Sequence, residues 1–103
     1  MRTYNKLIRD KIPGIMTAAG KNYRTHIAGD EEYTQKLKEK LSEEVSEFLS
    51  TPSLEELGDI LEVFTAIVED MGFSQEELIE QVQYKTEANG DFTHRIILDA
   101  VDE

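Results

Sequence analysis

The chain contains no cysteine. That excludes a disulfide framework, a thiol nucleophile and a zinc–thiolate site. Cationic side chains are scarce: 11 Lys and Arg stand against 22 Asp and Glu, a formal net charge of −11. Such a surface repels phosphate backbones and anionic headgroups, so neither nucleic acid nor a membrane is expected as a partner. No apolar run reaches transmembrane length, and Met1-Arg2-Thr3-Tyr4 does not open a signal peptide, which makes a cytoplasmic protein the expectation. Familiar catalytic signatures are missing as well. There is no P-loop, no Rossmann glycine fingerprint, no His-Glu-x-x-His and no nucleophile elbow, and no acidic run is built as a glycine-turned EF-hand loop.

What the chain has is helical periodicity. Its 103 residues read as one domain, 1–103, with a modest core extended by self-association into a homodimer or higher homo-oligomer. Pro13 suits the first turn of a short helix ending near Gly20. Asp30, followed by Glu31 and Glu32, reads as the N-cap of a helix running to about Leu49 or Ser50. Pro52 closes it, and Ser53 with Glu56 fits a capping box for a second long helix that continues through Asp70 and stops at Met71-Gly72. Ser74 with Glu77 repeats that signature for a third, reaching about Ala88 before Asn89-Gly90. Two short strands are also expected, about 24–28 and 92–98, because Thr25, Ile27 and Phe92 to Leu98 are rich in β-branched and apolar residues. The fold class is therefore mainly α: a small helical bundle with two short strands. His26 and His94 lack metal-ligand companions and read as structural or surface residues.

The informative stretch runs from Leu41 to Glu62. It carries two acidic pairs, Glu44-x-x-Glu47 and Glu56-x-x-Asp59, on either side of the Thr51-Pro52-Ser53 break. At about 100° per residue, Tyr33, Leu37, Leu41, Val45, Phe48 and Leu49 form the apolar arc of the first long helix. Glu44 projects inside that arc and Glu47 just outside it. On the second, Glu56 falls between Val63 and Ile67 within the apolar arc, and Asp59 borders it. No Lys or Arg occurs from Leu41 to Tyr84. Carboxylates gathered at a core edge without cations repel one another, and each costs several kcal/mol, roughly, when desolvated unpaired. A divalent cation offsets this. All-oxygen ligands select a hard ion, Mg²⁺ or alternatively Mn²⁺, with waters completing the shell. Such ions bridge polyphosphate oxygens and activate water.

Phosphate oxygens need cationic donors. The basic arm, with Arg2, Lys6, Arg9 and Lys11, reads either as a solvated arm pairing with the acidic remainder or as an anion clamp over the acids. Lys85, on the apolar line of the last helix, and Arg95 in the tail are further phosphate candidates.

These motifs resemble a family. Glu43-Glu44-x-x-Glu47 followed by Glu56-x-x-Asp59 is similar to the pattern of the MazG-like nucleoside triphosphate pyrophosphohydrolases, an all-α superfamily that includes phosphoribosyl-ATP pyrophosphohydrolase. The opening Tyr4-Asn5-Lys6-Leu7-Ile8-Arg9-Asp10-Lys11-Ile12-Pro13 resembles that of a small single-domain branch. So does the tail from Lys85, although Asn89 and Asp91 stand where that branch usually has a basic residue and a glycine. The resemblance implies metal-dependent hydrolysis of a nucleotide polyphosphate to a monophosphate and pyrophosphate, as in nucleotide-pool house-cleaning. It implies that Glu43, Glu44, Glu47, Glu56 and Asp59 hold Mg²⁺, that Glu43 or Glu47 handles the attacking water, and that Lys6, Arg9, Lys11, Lys85 and Arg95 contact phosphate. The alternative is a non-catalytic acidic helical oligomerisation module.

Overall fold

The computed structural model describes residues 1–102. Four α-helices form among them: α1 (Ile12–Ala18), α2 (Asp30–Ser50), α3 (Leu54–Asp70) and α4 (Gln75–Asn89). The chain is mainly α, as the periodicity predicts. Helix boundaries fall where the local chemistry puts them. Pro13 sits in the first turn of α1. Ser53 Oγ accepts the Glu56 N–H at 3.1 Å at the start of α3, and the Ser74–Glu77 box closes in both directions at the start of α4. Gly29, rather than Asp30, is the N-cap of α2, which brings Asp30, Glu31 and Glu32 all into its first turn. At the end of α3, Gly72 adopts φ 84°, the left-handed conformation that lets Phe73 N–H bond back to the Val68 carbonyl.

α2 and α3 form an antiparallel hairpin across the tight Thr51–Ser53 link, tied at its far end by Thr34 Oγ1 donating to Asp70 Oδ2 at 2.6 Å. Leu37 from α2 and Val68 from α3 are its buried apolar residues. Tyr33, Leu41, Phe48, Ile60, Val63 and Ile67 are half-buried around them. α4 packs on α3 much less than α2 does, and the molecule is drawn out to 60 × 31 × 27 Å.

Neither expected strand forms among the described residues. Residues 24–28 run extended without a ladder partner, and His26 Nε2 meets Glu32 Oε1 at 2.9 Å on the first turn of α2. In the tail, Asp91 accepts from both the N–H and the hydroxyl of Thr93, which holds its carboxyl below the usual range and folds residues 91–94 into a turn. Arg95 follows at φ 61°. That left-handed backbone cannot continue as a strand, so each segment is left without the partner a ladder requires.

Candidate metal centre

Glu44 lies seven residues, two helical turns, after the buried Leu37, so the helix carries its side chain to the same inward face. Only 7 % of Glu44 is exposed. Lys40, one turn back, approaches its Oε1 at 3.5 Å, while Oε2 is buried with no hydrogen-bond partner. Glu56 faces it from α3. The Ser53 cap uses only the Glu56 backbone, unlike the second box, where Glu77 Oε1 also accepts the Ser74 N–H at 3.0 Å. The Glu56 carboxyl is therefore free to point across the hairpin, and its Oε2 too is buried without a partner. Asp59, one turn further along α3, completes a triad: one oxygen each from Glu44, Glu56 and Asp59 lie within 4.8 Å of one another.

The electrostatics follow from this crowding. The carboxyl of Glu56 is pushed up to about 7, first by desolvation, then by the close approach of the Glu44 carboxyl and the negative charges of Glu47, Glu44 and Asp59. Since its folded-state value lies above the unfolded one near 4.5, the folded state holds a proton that the unfolded chain has lost. The resulting stabilisation is full below about pH 4.5 and vanishes as pH rises through about 7. Chelated protein is accordingly expected to lose thermal stability between those limits, and a glutamine at position 56 should remove that slope. Unfolding temperatures across this range, with the same pH dependence in both proteins, would contradict the assignment to Glu56.

Of the five carboxylates expected to gather, the structure brings together three. Glu43, 100° further round α2 than Glu44, faces the N-terminal arm instead, 3.4 Å from Lys6 Nζ and 3.6 Å from Lys40 Nζ. Glu47 is exposed beside the cluster and, with Ser50, Thr51, Ser53, Glu55 and Glu56, lines an open groove of about 490 Å³. Of the expected phosphate donors, Lys6 and Arg9 are on carboxylates. Arg9 Nη2 lies 2.6 Å from Asp59 Oδ1, and its other terminal nitrogen bonds Glu62. Lys11, at the N-cap of α1, Lys85 on α4 and Arg95 in the tail are exposed and form no ion pair among the described residues.

The arm's pairing with acids is one of the two readings the sequence offers; what it missed is Lys40 as a counter-ion of Glu44 and the particular partner of Arg9. Lys40 sits one turn before Glu44, a legible i,i+4 spacing that lies just outside the cation-free stretch. Arg9 is 50 residues from Asp59 and gives no such signal.

The donor set fits a hard divalent ion. Its atoms are carboxylate oxygens, the ligands such an ion takes, and Glu44 and Glu56 each bury one oxygen without a partner. No protein-family model, curated protein or solved structure matches the chain.

Proposed function

We propose that the chain is a metal-dependent pyrophosphohydrolase that cleaves a nucleoside triphosphate or related nucleotide polyphosphate to the monophosphate and pyrophosphate. The observation that supports this most is that Glu44 and Glu56, gathered with Asp59 across the hairpin, each bury an oxygen with no hydrogen-bond partner. Two such oxygens in a hairpin core are a standing electrostatic cost that a divalent ion would relieve. In this reading Glu44, Glu56 and Asp59 hold Mg²⁺, or Mn²⁺, which would neutralise polyphosphate oxygens and polarise a water. Glu47, exposed on the groove beside Glu56, accepts the proton as water oxygen bonds to phosphorus and the phosphoanhydride P–O bond breaks, with pyrophosphate leaving. Glu43 orients rather than ligates, through Lys6 and Lys40. Lys11, Lys85 and Arg95 remain donors for phosphate once the chain has assembled.

Assembly belongs to the same proposal. The chain exposes 9392 Å², about 3,500 Å² more than a compact monomer of this length. That excess exceeds the roughly 1,000–2,500 Å² each chain gives to even a large obligate dimer interface. A homodimer would cover part of it and a higher homo-oligomer more, under the enzymatic reading and under that of an acidic oligomerisation module alike. Chemistry separates the two. Incubation with a panel of nucleoside triphosphates and Mg²⁺ or Mn²⁺ should release pyrophosphate from at least one, and chelation should stop it. A panel with no metal-dependent product at high protein concentration would leave the oligomerisation module as the function.

A further inference from the structure

The N-terminal arm lies across the mouth of the acidic cluster. Asn5 takes a left-handed backbone, φ 48°, and its carbonyl accepts from Lys36 Nζ at 2.8 Å. Leu7 and Ile8 are half-buried behind it. This pins the arm so that Arg9, just before the turn into α1, reaches Asp59 and Glu62 on α3 with both ends of its guanidinium. The anchor is the backbone and the two apolar side chains, however. The Arg9 side chain itself is 52 % exposed, so its tip can leave Asp59 while the arm stays docked.

We propose that Arg9 is a resident counter-ion of the acidic cluster, competing with the divalent ion for Asp59. When the ion enters, the released guanidinium turns to phosphate oxygens of the substrate. This rests on the metal-dependent reading above. A divalent ion on Glu44, Glu56 and Asp59 would place two positive groups on one carboxylate, and the mobile one yields. The planar fork that grips two carboxylate groups is equally suited to two phosphate oxygens, so the exchange keeps its hydrogen bonds. Metal and polyphosphate then bind with positive coupling, because the first frees a donor for the second.

Titration calorimetry with Mn²⁺ on the full chain tests this, comparing wild type, Arg9→Gln, Arg9→Lys and Lys38→Gln, with circular dichroism to confirm folding. Lys38 is exposed on α2 and forms no ion pair among the described residues, so its variant controls for the loss of one positive charge. Arg9→Gln should bind Mn²⁺ roughly three- to tenfold more tightly than wild type, the range set by removing one bridging ion pair. Arg9→Lys should fall between them, and Lys38→Gln should match wild type. With Mn²⁺ present, inorganic pyrophosphate should bind Arg9→Gln more weakly than wild type. Equal or weaker Mn²⁺ binding by Arg9→Gln overturns the competition while leaving the metal site intact, since Arg9 would then merely hold Asp59 in place. Absence of Mn²⁺ binding in wild type and Arg9→Gln alike overturns the metal reading and the competition with it.

Discussion

Replacing Glu56 by glutamine is expected to raise the unfolding temperature of the chelated protein at pH 8 and to abolish its response to Mg²⁺. Above about pH 7 the Glu56 carboxyl is ionised against Glu44, Glu47 and Asp59, and no cation is paired with it among the described residues. Glutamine keeps the side-chain shape, removes the charge and offers an N–H to the orphaned Glu44 oxygen. The apo protein therefore gains. The loaded protein loses, because mass-action stabilisation by a ligand requires an intact site. Hydrolytic turnover should fall by at least about 100-fold, since even outer partners of metal ligands cost 10–100-fold in affinity. Thermal unfolding of both proteins, with chelator and with millimolar Mg²⁺ or Mn²⁺, gives the answer directly. Equal metal-induced shifts would remove Glu56 from the site. A drop in apo stability would show that the cluster is not under repulsion.

A single aspartate on the outer face of α3 should dissociate the assembled protein. Leu54, Leu57, Leu61 and Phe64 are all exposed and recur at helical spacing. They form a stripe about 120° round the helix from Glu56, beside the face that packs on α2. In an isolated monomer, Leu61, 64 % exposed, tolerates aspartate within roughly ±0.5 kcal/mol. In a helical interface between two copies the same substitution buries an unpaired carboxylate, which costs several kcal/mol, roughly, and at each two-fold contact it does so twice. Light scattering at micromolar concentration should find wild type as a dimer or larger and Leu61→Asp as a monomer with a lower unfolding temperature. A monomeric wild type defeats the assembly proposal. An unchanged assembly in Leu61→Asp moves the interface off this stripe.

Much of the fold was legible because helices are specified locally. The apolar periods of α2 and α3, the Ser53 and Ser74 caps, and the Met71-Gly72 stop all operate within a few residues, and all lie where the sequence places them. The strands failed for the opposite reason. A strand exists only with a partner at a distance, and in the tail Asp91 offered the Thr93 N–H a nearer one.

The site divides along the same line. The sequence alone determines that Glu44 enters the core, because it stands two helical turns from Leu37 on one face. It also determines that Glu56 and Asp59 share a face of the next helix. What it cannot determine is which carboxylates touch once two helices pack. The hairpin geometry selects Glu44, Glu56 and Asp59, and leaves Glu43 to Lys6 and Glu47 to the groove. Nor does any local signal foretell that the arm lays Arg9 on Asp59, since contacts between residues 50 apart in the chain depend on the path of everything between them. Periodicity sets which way a side chain points along its own helix, but only the packing of separate segments sets what it meets there.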